Sequence, residues 1–134
     1  MTDPHGALIY TMVLASASDG TMSDKELETL SETVRFLPVF RDFDRGRIAD
    51  LSRECASMLQ DEDGLDKAID VIRGALPERL HETAYAIACD VVAADGSASQ
   101  EELRLLEMMR HTLNIDRLHA AAIERGARAR HMTV

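Results

Sequence analysis

Apolar positions recur along this chain at helical spacing, and the pattern divides into seven segments. Asp3-Pro4 reads as N-cap and first residue of a helix running to about Ser18, with the apolar run Ala7 to Leu14 inside it. Leu27, Leu30, Val34 and Leu37 form the stripe of a second helix, Ser23 to about Phe36. Pro38 interrupts it, and Val39 to Phe43 reads as a short irregular or 3₁₀ segment. Asp44 caps a third helix, about Arg45 to Gln60, with Ile48, Leu51, Cys55, Met58 and Leu59 inward. Asp61-Glu62-Asp63-Gly64 turns the chain into a fourth, about Leu65 to Gly74, where stacked acids complement the helix dipole. Pro77 starts a fifth that ends at Ala94. A sixth spans Ser99 to Leu113, its stripe drawn through Leu103, Leu106 and Leu113 with Met109 or Arg110 alongside. Asp116 caps a seventh, ending near Arg130.

Within this pattern one stretch occurs twice. Ala15 to Leu30 reads ASASDGTMSDKELETL, and Val91 to Leu106 reads VVAADGSASQEELRLL. A single constant offset carries Asp19 onto Asp95, Gly20 onto Gly96, Ser23 onto Ser99, Glu26 onto Glu102 and His5 onto His81. A glycine suits the left-handed position that closes a helix. Ser-x-x-Glu is a capping box that opens the next one. Phe43-Asp44-Arg45 matches Ile115-Asp116-Arg117 at a shorter offset, as an insertion around Pro38 to Arg41 would produce. The expectation is therefore one all-α domain over residues 1–134, of about seven helices. Two pseudo-symmetric three-helix units, about 4–60 and 78–130, flank a connector helix at about 64–74.

The doubled A-x-A-x-D-G-x-x-S-x-x-E-L-like motif resembles the TerB family of tellurite-resistance proteins, whose fold also supplies the N-terminal domain of DjlA-type membrane co-chaperones. The resemblance covers about Pro4 to Ala129 and is closer in the second copy, Ala93-Ala94-Asp95-Gly96 with Glu101-Glu102-Leu103. The first departs by placing Ser18 before Asp19. The resemblance implies an all-helical module linked to tellurite and general stress resistance. It further implies a protein partner, or a membrane-associated stress complex, for a cytoplasmic or membrane-peripheral protein.

Composition narrows the classes. The chain has 134 residues, 7 Gly, 3 Pro and 4% aromatics, so the core is expected to be aliphatic. A net charge of −9 argues against general nucleic-acid binding, which needs a basic footprint. The basic residues gather late, at Arg125, Arg128, Arg130 and His131, a contact for an acidic partner or a favourable helix C-terminus. The segment before Ala7 has no Lys or Arg, which argues against an export signal, and no stretch approaches the about 20 apolar residues of a membrane span. Cys55 and Cys89 form no metal or redox spacing and read as buried thiols.

Candidate chemistry concentrates in the repeat. A carboxylate at a helix C-terminus opposes the macrodipole, so Asp19 and Asp95 call for an offsetting partner: turn amides, or a cation. Asp-Gly-x-x-Ser-x-x-Glu has the spacing of the second half of an EF-hand loop, but Ala15, Ala17, Val91 and Ala93 stand where its first ligands belong. A divalent cation shared by Asp19, Glu26, Asp95 and Glu102 is the remaining metal reading, alongside a purely structural turn and capping box. His5, His81, His111, His119 and His131 have no ligand spacing, His81-Glu82 lacks a nucleophile, and no catalytic motif occurs, so the chain is read as non-enzymatic.

Overall fold

The computed structural model describes residues 2–16, 22, 24–94, 96 and 98–134. Among them are seven α-helices and no strand: α1 Pro4–Ser16, α2 Asp24–Phe36, α3 Ile48–Leu59, α4 Gly64–Ala75, α5 His81–Ala94, α6 Gln100–Thr112 and α7 Arg117–Arg130. Three single 3₁₀ turns join them, at Pro38–Phe40, Arg45–Arg47 and Glu78–Leu80. The third and fifth helices thus start later than the capping signals suggest, because each is entered through a 3₁₀ turn.

The starts follow from side chains. Asp3 Oδ1 accepts from Gly6 N (2.8 Å), Asp44 Oδ1 from Gly46 N (2.9 Å), and Asp116 Oδ1 from Leu118 N and His119 N (2.9 and 3.2 Å). Each carboxylate satisfies amides that have no partner inside the helix. At Gly64 a Cβ would lie 2.2 Å from Met58 O, so the close approach of α3's end to α4's start demands glycine.

Helix α1 is the centre. Gly6 through Ala15 are buried without a polar face; Thr11 Oγ1 donates to Ala7 O at 2.9 Å and the Tyr10 hydroxyl donates to Glu54. A helix apolar all round must be covered on every side. Helices α3, α4, α5 and α6 pack on α1, while α7, α2 and α6 pack on α5, the second heavily buried helix. The crossing is reciprocal: α2 lies on α5, and α6 on α1.

Histidine-to-carbonyl and tyrosine-to-carboxylate bonds occur in both halves, with the histidines, but not the tyrosines, at the constant offset of the repeat. His5 Nε2 donates to Val39 O (2.8 Å) and His81 Nδ1 to Leu113 O (3.1 Å), each reaching the chain just past the end of the following helix. Tyr10 donates to Glu54 (3.1 Å), and Tyr85 to Glu124. The halves differ where the insertion falls: His5, Phe40 and Phe43 form an aromatic cluster with centroids 5.1–5.9 Å apart.

Candidate functional site: the second junction and the groove beside it

The junction between α5 and α6 is the better described of the two. Gly96 stands at φ +81°, the left-handed conformation expected of a helix-closing glycine, and its N–H donates to Ala93 O (3.1 Å). Ser99 Oγ accepts from Glu102 N (3.1 Å) while Glu102 Oε1 accepts from Ser99 N (3.0 Å), completing the capping box. Glu26 occupies the matching third position of α2 and is half-buried, as is Glu102. Asp19, Gly20, Ser23 and Asp95 lie outside the described residues. No group of three or more candidate metal-ligating side chains comes together among the described residues.

The apolar stripe of α6 differs from its sequence reading. Leu105 and Met109 face the core, 4% and 0% exposed, with Leu113 beyond the helix end. Leu103 is half-exposed and Leu106 half-buried. The reason is rotation: at about 100° per residue, Leu103 and Arg110 share a face that lies beside the 105–109–113 line. Both lines are spaced helically, so periodicity alone does not choose between them.

The face bearing Leu103 looks into a groove of about 1220 Å³. Helix α5 supplies its floor through Tyr85, Cys89, Val92 and Ala93. Leu103, Leu106, Glu107, Arg110 and His111 of α6 form one wall. Arg117, Ala120, Ala121, Glu124, Ala127 and Arg128 of α7 form the other, with His131 and Met132 at its end. The alanines of α7 hold the groove open, having too little bulk to fill it.

Its electrostatics are uneven. Glu124 is engaged by the Tyr85 hydroxyl, whose own pKa is raised by burial and by that bond. Arg130, at the edge, is held by Asp90 (Nη2 to Oδ1, 2.6 Å), and His131 Nδ1 donates to Ala127 O (2.9 Å). The side chains of Arg110, Arg117 and Arg128 make no hydrogen bond or ion pair to a described residue. Burial pushes the Cys89 thiol up to about 12, and Cys55, under α1, likewise. Both cysteines are buried free thiols. Of the late basic cluster, only Arg128 and His131 line the groove; Arg130 is committed to Asp90.

The family described as tellurite resistance protein TerB matches residues 5–125. The chain belongs to the TerB family. That match takes in both junctions and most of α7, so it includes the groove floor and the α6 wall, while Ala127, Arg128, His131 and Met132 of the other wall lie beyond it. No curated protein and no solved structure gives a significant match. In this TerB-family chain no described helix is long and apolar enough to cross a membrane.

Proposed function

We propose that this TerB-family chain is a non-catalytic association module of the tellurite and stress response, working by binding another protein. The observation that carries the reading is the α5–α6–α7 groove. It joins exposed and half-exposed leucine to arginines with no internal partner, on a chain whose net charge is −9. Arg110 and Arg128 lie in the last turns of α6 and α7, where a cation complements the helix dipole, and a bound segment would in addition cover the leucines and pair the arginines. The test is survival on tellurite of cells lacking this chain. Complementation by the wild type but not by a folded Arg110→Glu, Arg117→Glu, Arg128→Glu variant is expected. Equal survival with and without the chain would sink the tellurite reading.

A second reading is a divalent-cation binder that uses Asp19, Glu26, Asp95 and Glu102. Its support is the repeat itself, together with the matching placement of Glu26 and Glu102 in the first turns of α2 and α6. Membrane-peripheral attachment is less well supported, since an anionic surface would meet the acid-rich remainder of the chain as well as the groove.

A further inference from the structure

We infer that the α5–α6–α7 groove receives an acidic amphipathic helix of a partner protein, a proposal that rests on the association reading above and names its partner by chemistry. The shape comes first. A volume of about 1220 Å³ exceeds the roughly 300–1,000 Å³ typical of small-molecule pockets, and the lining is drawn from all three of α5, α6 and α7. Helix α6, with its 13 residues, is about 20 Å long, enough to accompany three turns or more of a second helix. Leu103 and Leu106 form an i, i+3 pair on the α6 wall, and Val92 and Ala93 line the same groove from α5. The alanines opposite leave space for incoming side chains, and apolar anchors at i, i+3 or i+4, and i+7 match such a trough.

Charge selects among occupants. Arg110, Arg117 and Arg128, whose side chains pair with no described residue, stand on both walls, while among the described lining residues Glu107 is the one carboxylate not engaged by Tyr85. A short acidic helix samples this local field, because charges farther than about 8 Å are largely screened at physiological salt. A nucleic acid or a lipid surface extends past the groove and meets the excess of acids that gives the chain its charge of −9. A second copy is a poor occupant too. The exposed large hydrophobics among the described residues are Leu27, Phe36, Leu103, Leu118, Met132 and Val134, and no two stand three or four positions apart on one helix. Among the described residues there is thus no helix with an exposed apolar stripe to offer the groove.

The test uses two fluorescent 18-residue helical peptides with the same leucine positions, one flanked by glutamate and one by lysine, and the full chain. The glutamate peptide is expected to bind and to move the amide resonances of α5, α6 and α7 selectively. The Arg110→Glu, Arg117→Glu, Arg128→Glu variant, checked for an unchanged melt, should bind it about tenfold or more weakly and gain affinity for the lysine peptide. Leu103→Asp should weaken both peptides. Equal binding of the two peptides, no saturable binding of the glutamate peptide at about 1 mM, or an unaltered preference in the charge-reversed variant overturns the proposal. So does preferential binding to phosphatidylserine vesicles, or concentration-dependent self-association abolished by Leu103→Asp. If the peptide tests fail while groove variants still lose tellurite protection, the acidic-helix partner is wrong and the association reading stands. If removal of the chain leaves tellurite survival unchanged, the broader reading fails regardless of the peptides.

Discussion

Gly96 shows what a single residue contributes to a junction. Nothing lies within 4 Å of a Cβ built there, so space is not the constraint; φ of +81° is. A left-handed conformation costs a side-chain-bearing residue roughly 1–2 kcal/mol, and a β-branched one more. Gly96→Val is therefore expected to lose about 2 kcal/mol in denaturant melts and Gly96→Asn distinctly less. The two cysteines make a different prediction. With thiols pushed up to about 12, the thiolate is scarce at pH 8, and a disulfide reagent should leave both unmodified until the protein is unfolded. Rapid labelling of the native chain would contradict the burial. Asp3 supplies a pH dependence. Its hydrogen bond from Arg47 holds the carboxyl below the usual value, with Gly6 N–H acting in the same direction. A depressed pKa gives stability that is present above the unfolded value of about 3.9 and lost as pH falls through the folded value. The stability gap between wild type and Asp3→Asn, which keeps a capping side chain, should thus be seen at pH 7 and close in acid. A gap constant down to pH 2 would exclude the Arg47 pairing as its source. These local features were legible in the sequence. Ser99-x-x-Glu102, Asp44, Asp116 and Gly96 each act on amides or dihedrals within four residues, which is the range over which a one-dimensional pattern reports structure.

The element scale is where the pattern stops being sufficient. Helix α6 carries two leucine lines, and its packing against α5, α1 and α4 decides that Leu105 goes inward and Leu103 outward. Leu105→Ala is expected to destabilise by about 2–5 kcal/mol, the range for a buried leucine, while Leu103→Ala should cost well under that. Comparable losses at the two positions, measured by chemical denaturation, would reverse the assignment of faces. The groove is hidden from the sequence for the same reason. It depends on α6 and α7 resting apart on α5, and on alanines whose small size is informative only once their neighbours are known. The tyrosine–glutamate bonds, Tyr10 to Glu54 and Tyr85 to Glu124, likewise join helices distant in sequence, and no local spacing announces them.

At the scale of the whole molecule, the doubled motif predicts a repeated architecture; in the fold α2 packs on α5 and α6 on α1. It also carries the cation reading, which a melt can decide. If Asp19, Glu26, Asp95 and Glu102 bind Ca²⁺, Mg²⁺ or Mn²⁺, the ion at about 100 times its Kd should add about 2.7 kcal/mol, and Asp95→Asn should remove that gain. Identical melting temperatures with ion and with chelator would leave the carboxylates as turn and capping groups. The position of α1 has a further consequence, for the order of assembly. Its coat comes from α3, α4, α5 and α6, and Ser16 and His81 bracket the whole of α2, α3 and α4. A translating ribosome thus releases the most apolar helix well before the segment that covers it. Contacts this distant in sequence slow folding relative to a bundle that zips between neighbours, and leave sticky surface in the interval. Nascent chains halted before α5 should aggregate or recruit chaperones, and those extended past α5 should be released from them.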